Sequence, residues 1–321
     1  MRLTPSPEQA GFAAVLHDVL TEDLPGRAVW QRLAEVGVTG LAVPARWGGA
    51  GAEPADLVVA CEELGHHAVA GPVAESVAAV PALLAALGAE YADKWLPELA
   101  AGRIVATLAA PPWLPYAADA DDAGLVLLAE PGAVRLARAG AAHPSMDRTR
   151  RLFDVHPGAV VAAGPAADAA IGHALDLGVL ACAGQLLGAG RALLEAAVRH
   201  ATERTQFGRP IGSFQAVQHL LADVAVGLEF ARPLLYAAAV ALSAGPEPPV
   251  PAARDVSAAK VACGEAAHRA ARAALQVHGA IGYTEEHGLG RWLTKVRVLT
   301  LAWGTPADHR ARVMRELTGC G

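Results

Sequence analysis

From Asp168 to the C-terminus the apolar residues recur at helical spacing, and this stretch constrains the fold of the 321-residue chain more than any other feature. Leu186, Leu187, Gly190, Leu193, Leu194 and Ala197 share one face of a long helix. Val217, Leu220, Leu221, Val224, Ala225 and Leu228 share one face of the next, with Pro233 as a candidate kink. A Pro-rich segment, Ala244 to Ala253, predicts a loop before a third helix running to about Val277, and a last helix follows Thr305. A lone amphipathic helix cannot bury its apolar stripe, whereas several joined by short connections can, so an antiparallel helix bundle is expected.

Two regions of different texture precede the bundle. Ser6 is a candidate N-cap, with Pro7 at the first helical position and Gln9 completing a capping box. Helical runs over Arg27–Val36, Ala55–Leu64 and Ser76–Leu87 stop at Gly37, Gly65 and Gly88. After Ile104 the pattern changes to short apolar runs, Ile104–Ala110, Ala123–Glu130, Ala133–Gly140, Arg151–His156 and Ala159–Gly164, bounded by Pro, Gly and Asp. These predict strands of a small antiparallel sheet. The expected fold is therefore mainly α with a small central β domain: an N-terminal helical domain (1–103), a reduced β domain (104–167) and a C-terminal four-helix bundle (168–321).

Composition narrows the class. With 53% hydrophobic and 18% charged residues and a mean hydropathy of +0.31, the chain reads as a globular protein whose apolar excess is largely alanine. The net charge of −6, without a basic block or stripe, argues against nucleic acid as a partner. The N-terminus lacks a charged segment followed by an apolar one, and no uninterrupted apolar run reaches spanning length, so neither export nor a membrane is signalled and a cytoplasmic location is expected. Cys61, Cys182, Cys263 and Cys320 are scattered without a C-x-x-C pair and read as reduced, structural thiols.

Four stretches carry a resemblance: Val43–Gly65, Lys94–Gly102, Arg204–Ala225 (RTQFGRPIGSFQAVQHLLADVA) and Gln276–Thr305 (QVHGAIGYTEEHGLGRWLTKVRVLTLAWGT). The chain resembles the acyl-CoA dehydrogenase family of flavoproteins. That resemblance implies helical, β and bundle domains, FAD as cofactor, an acyl-CoA substrate and an electron-transfer acceptor. It also implies an assembly larger than a monomer. In the family the chemistry is removal of an α proton by a carboxylate while the β hydrogen leaves as hydride to the flavin. It further implies that Arg204, Gln206, Phe207, Gln215, Gln276 and Gly279 serve the FAD of a neighbouring subunit, through a guanidinium on diphosphate oxygens and close backbone approach. Ala280 stands where the family commonly has a second Gly.

The catalytic residues depart from the family. Where relatives carry Tyr-Glu-Gly-Thr this chain reads Ala302-Trp303-Gly304-Thr305, which puts an indole in the place of the base. The alternative seat of the Glu, on the long helix, falls at Gly178, followed by Val179 where many members have Arg. Asp176 is the nearest acid; about 200° of helical rotation separates it from that seat, so it is expected to be a solvated or capping acid. The loop that covers the flavin in relatives is replaced after Ala109 by APPWLPYAADADDAG. No catalytic residue is assigned.

The reading that follows is a base-lacking subunit which pairs with a longer acyl-CoA dehydrogenase homologue carrying the Glu, and shares its FAD across their interface. A bulky acyl-CoA, of the steroid side-chain kind, is the expected substrate. A homomeric flavoenzyme of altered chemistry in a secondary-metabolite pathway, or a scaffold without flavin, remain open. The phosphate-loop-like Gly184–Leu193 is read as helix packing, because it lacks the Lys-Ser/Thr and sits inside a helix. Glu62, Glu63, His66 and His67 are read as a helix end and no metal is expected. Lys295, Arg297 and Arg46 read as surface charges.

Overall fold

The computed structural model describes residues 3–21, 26–243, 252–284 and 288–319. Helix α1 (Pro7–Thr21) opens with the expected capping box: the Gln9 N–H donates to Ser6 Oγ at 3.2 Å and the Ser6 N–H to Gln9 Oε1 at 2.9 Å. Then come α2 (Arg27–Glu35), α3 (Pro54–His66), a π-helical turn at Glu75–Ala79, α4 (Val80–Ala86) and α5 (Ala89–Ala100). Gly37 and Gly88 terminate or precede helices with left-handed φ values of 81° and 106°.

Gly65 does not stop α3. The helix continues to His66, and a Cβ on Gly65 would lie 2.0 Å from the Gln185 carbonyl oxygen of α6 (Pro165–Glu203). A Cβ on Gly188 would likewise lie 1.8 Å from the Glu62 carbonyl oxygen. Both glycines let two backbones cross in contact, which also accounts for the glycines of Gly184–Leu193 as helix packing.

The sheet is mixed rather than antiparallel. Its five strands, β1 (Ala106–Ala109), β2 (Ala117–Ala118), β3 (Leu125–Glu130), β4 (Ala133–His143) and β5 (Leu152–Ala163), lie in the order β1-β3-β4-β5-β2. β1 pairs in parallel with β3, because residues 110–124 leave one edge, lay down β2 at the other and return, supplying the crossover that parallel strands need. The runs at 151–156 and 159–164 merge into β5, with Pro157 opposite Ala137 beside a register shift in β4. Pro157 lies beyond the short β2 pairing, where β5 has a partner strand on one side only.

The C-terminal region holds α6, a two-stranded hairpin β6 (Thr205–Gln206) and β7 (Arg209–Pro210), α7 (Gln215–Ser243), α8 (Ala252–His278), α9 (Gly290–Leu301) and α10 (Pro306–Thr318). α7 continues through Pro233. Residues 244–251 of the expected Pro-rich loop lie outside the described residues, and Ala252 and Ala253 already belong to α8. One continuous apolar core joins the N-terminal helices, one face of the sheet and the bundle, while a small second cluster around Val126, Leu128 and Phe153 lies on the other face. α6 runs through the centre of the main core.

Cys61, Cys182 and Cys263 are buried and free, as expected of structural thiols, and Cys320 lies outside the described residues. Two helices, α6 and α7, are long and apolar enough by length and composition alone to cross a membrane; 89% of the apolar window of α6 is buried inside the molecule, as in a core helix, against 39% for α7. Lys295 is not a surface charge. It is buried in α9, pairs with Asp147 at 3.1 Å and donates to the Val69 carbonyl at 3.0 Å, whereas Arg297 and Arg46 are exposed. Burial by itself would push the Asp147 carboxyl up, but the Lys295 ammonium and the Thr149 hydrogen bonds hold it below the ordinary value.

Candidate functional site

α9 and α10 are joined by a tight turn in which Trp303 and Gly304 both take left-handed φ, 62° and 90°, before Thr305 caps α10 by accepting from the Asp308 N–H. A Trp in this region is strained by about 1–2 kcal/mol and persists only where its surroundings fix it. They do: Trp303 is 1% exposed, and its carbonyl accepts from His309 Nε2 at 2.9 Å. Burial, with Lys260 adding to it, pushes His309 down to about 4. It is therefore the neutral tautomer that donates through Nε2 while Nδ1 accepts from Ser257 Oγ at 3.1 Å.

The indole points across to α6. An ideal Cβ on Gly178 would lie 2.2 Å from Trp303 Cζ3 and 2.4 Å from Cη2. The two positions at which the sequence comparison sought a base thus meet in space, one occupied by the benzo edge of a Trp and the other empty of any side chain. Val179, where the resemblance implies an Arg in many members, is fully buried in the apolar core.

Asp176 is not the solvated or capping acid expected. It is buried and pairs with Arg312 of α10 at 2.6 Å, and the Arg312 guanidinium lies 5.2 Å from the centre of the Trp113 ring. Burial pushes its carboxyl up and Arg312 opposes the shift, so the pair ties α6 to α10. Trp113 also packs edge-on against His309 and accepts the Gly304 N–H at 3.2 Å. Beside this cluster a cavity of about 250 Å³ is lined by Trp113, Tyr116, Met146, Arg150, Leu301 and Ala302. Sequence reasoning missed Glu75, which faces Arg150 across 3.5 Å, is almost fully buried and has its carboxyl pushed up by that burial. In the sequence it stands immediately before the apolar helical run Ser76–Leu87.

A second group of residues lies where α6 and α8 end. His200 and His278 stack with ring centres 4.4 Å apart, which ties the end of α6, capped by Arg204, to the end of α8, which carries Gln276 and is followed by Gly279. Gly279 has φ 63°, the left-handed conformation that closes a helix. Between β6 and β7, Phe207 and Gly208 have φ 54° and 79°, the double left-handed pattern of a type I′ turn. The hairpin root is pinned by the Ile211 N–H donating to the Arg204 carbonyl at 2.8 Å. Arg204, Gln206, Gln215 and Gln276 are exposed, and Phe207 is 92% exposed. Among the described residues the Arg204 guanidinium has no hydrogen-bond or ion-pair partner. Gln276 edges an open recess of about 530 Å³ that also carries His268, Arg269 and Arg272.

Comparison with known proteins identifies the family. The acyl-CoA dehydrogenase N-terminal domain matches residues 12–103 and the acyl-CoA dehydrogenase C-terminal domain matches residues 169–318. This chain belongs to the acyl-CoA dehydrogenase family. It is 33% identical to acyl-CoA dehydrogenase IpdE2 of Mycobacterium tuberculosis, over 97% of this chain and 93% of that protein. Its fold matches the ChsE4–ChsE5 complex from Mycobacterium tuberculosis with a TM-score of 0.84 at 24% identity, covering 100% of both chains. It also matches the Tcur3481–Tcur3483 steroid ACAD, with a TM-score of 0.82 at 22% identity, over 97% of this chain and 98% of that one.

Acyl-CoA dehydrogenases use FAD, and the two halves of this chain fit that group unequally. The exposed end of α6 and α8 suits it: an unpartnered planar guanidinium, amide side chains and a left-handed glycine are the donors that a diphosphate takes. Around Trp303 the residues present fit it poorly. The cavity of about 250 Å³ is smaller than the roughly 300–1,000 Å³ of ordinary ligand pockets.

Proposed function

We propose that this acyl-CoA dehydrogenase family member is the base-lacking subunit of a heteromeric enzyme and works beside a longer homologue that supplies the catalytic Glu. The observation that carries this reading is the contact between Trp303 and Gly178, which leaves neither base position with a carboxylate while Arg204, Gln215 and Gln276 stay exposed. FAD, when bound, accepts the hydride in the α,β-dehydrogenation of an acyl-CoA thioester. In this reading Arg204 pairs with the diphosphate of the flavin held mainly by the partner, and Gln206, Gln215 and Gln276 add hydrogen bonds. Gly279 lets the backbone come close, and Phe207 packs on the partner subunit.

Two solved structures of this fold, the ChsE4–ChsE5 complex and the Tcur3481–Tcur3483 steroid ACAD, are each named for two different proteins, which supports assembly with an unlike chain. The second name also supports a bulky, steroid-type acyl group as substrate. We place the enzyme in the cytoplasm, passing electrons to an electron-transfer acceptor. The test is flavin stoichiometry. The chain purified alone should hold little FAD, and the complex with a longer homologue about one FAD per pair of unlike chains. A yellow, fully flavinated homo-oligomer of this chain would overturn the proposal.

A further inference from the structure

An open cleft of about 640 Å³, away from Trp303, is walled by the C-terminal turn of α3, by α1 and by the last turns of α6. Three of its lining side chains, His17, His66 and His67, meet the buried Glu63. Glu63 and His66 lie in the last turn of α3, His67 is its C-cap, and His17 comes from α1. One ligand-type atom from each lies within 4.8 Å of those of the other three.

The His17 ring cannot serve both of its close contacts with one hydrogen. His17 Nδ1 lies 3.1 Å from Glu63 Oε2 and also 3.1 Å from His67 Nε2. A hydrogen on Nδ1 that donates to the carboxylate leaves the His67 nitrogen without a donor. A hydrogen on His67 Nε2 that donates to Nδ1 occupies its one lone pair and leaves Glu63 Oε2 facing a nitrogen without a hydrogen. Neither arrangement serves both contacts with a single hydrogen. His66 adds an independent observation: its Nδ1 is buried without a hydrogen-bond partner, in a residue only 8% exposed.

The surroundings have the form of a ligand shell. His66 Nε2 faces Glu195 Oε2 at 2.8 Å, which fixes the tautomer that donates there and leaves the Nδ1 lone pair free. A ligating imidazole ordinarily donates its other nitrogen to a carboxylate in this way. Arg191 donates to the other oxygen of Glu63, Oε1, and so orients that carboxylate. Three imidazoles and one carboxylate suit a tetrahedral ion of the zinc class. Bonds of about 2.0–2.2 Å would hold the donors roughly 3.3 Å apart. The observed contacts of 3.1 Å are already at that spacing, and the widest separation of 4.8 Å closes by side-chain rotation into the cleft.

We infer that His17, Glu63, His66 and His67 form a divalent-metal site of the Zn(II) class that clamps α1 to α3. The cation replaces the missing hydrogen at the shared focus of the four donors and gives His66 Nδ1 its partner. The reading is independent of the flavin-facing residues.

The test titrates the full chain, stripped with chelator, with Zn(II) by calorimetry and with Co(II) by visible spectroscopy. The expected result is one ion per chain, with the visible bands of a tetrahedral Co(II) site. His17→Ala and His67→Ala should each weaken Zn(II) binding ten-fold or more and abolish those bands. Glu195→Gln should weaken it about 10- to 100-fold. His219→Ala, on the exposed face of α7, should bind like the wild type. Thermal melts in chelator check that the variants fold; the His17 side chain is 43% exposed, so its removal leaves the core untouched. Zn(II) should then raise the melting temperature of the wild type and not that of His17→Ala. Absence of stoichiometric binding to the wild type, or equal binding by the His17 and His67 variants, would overturn the site.

Discussion

The Trp303 indole reaches α6 at Gly178, with Cζ3 2.2 Å from the point that a Cβ on that glycine would occupy. Each of the two positions at which the resemblance places a base therefore blocks the other. A carboxylate cannot return at Gly178 while Trp303 stays, and Trp303 keeps its place because the glycine leaves room for it.

This pair predicts strong coupling. Gly178→Ala forces a methyl into the ring and should cost about 1–3 kcal/mol, as overpacking does. Trp303→Ala should cost about 3–5 kcal/mol through the cavity it leaves. The double variant should be more stable than the sum of these costs implies, by at least about 0.5 kcal/mol, because the new methyl then enters vacated space. Denaturant unfolding of the three variants measures the cycle, and strictly additive costs would refute the contact.

Trp303→Glu should not create a dehydrogenase. A general base works only when the substrate α carbon and the flavin are both within its reach, and here the new carboxylate would replace a side chain sealed in the core. Acyl-CoA-dependent reduction of an artificial acceptor should stay at background for the chain alone and for its Trp303→Glu form. Substituting the matching Glu of the longer partner should abolish turnover of the complex while leaving it assembled. Turnover by either isolated form at the rate of the complex would replace the partner-subunit reading with that of a self-sufficient enzyme.

Arg204 and Phe207 should separate folding from assembly. Arg204→Ala removes an exposed guanidinium, so chain stability should move by no more than about 0.5 kcal/mol. Loss of a charge-assisted contact of about 1.5–3 kcal/mol should lower flavin affinity of the complex ten-fold or more. Phe207→Asn places a residue that tolerates left-handed φ at the turn, so the isolated chain should be at least as stable while the complex dissociates more readily. Flavin content and association unchanged in both variants would show that the hairpin serves no neighbour.

Lys295→Met tests the buried pair with Asp147. In the wild type the Asp147 carboxyl sits below its ordinary value, so its stabilising contribution is present above the unfolded value of about 3.9 and is lost as the pH falls through the lower folded value. Removing the ammonium leaves a buried charge unpaired and should cost about 3–5 kcal/mol at neutral pH. The gap to the wild type should narrow in acid, where a protonated Asp147 carries no charge to pair. Unfolding curves at neutral pH and near pH 4 check this, and a gap independent of pH would count against it.

Spacing along the chain was enough to place the bundle, the strand-rich middle and most helix ends. Leu186 to Ala197 and Val217 to Leu228 face inward because helical periodicity decides which residues share a side, and Ser6 with Gln9 caps α1 because all its atoms lie within one turn. The Trp at the base position and the Gly at its alternative were also plain in the sequence.

What tertiary structure alone decided was how distant segments meet. Gly65 reads as a stop signal, yet its role is to let α3 cross α6. Lys295 and Arg297, two residues apart on α9, part into core and solvent because Asp147 and Val69 wait on one side only. The parallel pairing of β1 with β3 depends on a crossover with no local signature. Glu63, His66 and His67 look like an ordinary helix end until His17, 46 residues before Glu63, is brought against them. Local spacing is carried by every short window of the chain, whereas contacts between windows are set by where whole elements pack, and that depends on the entire core at once.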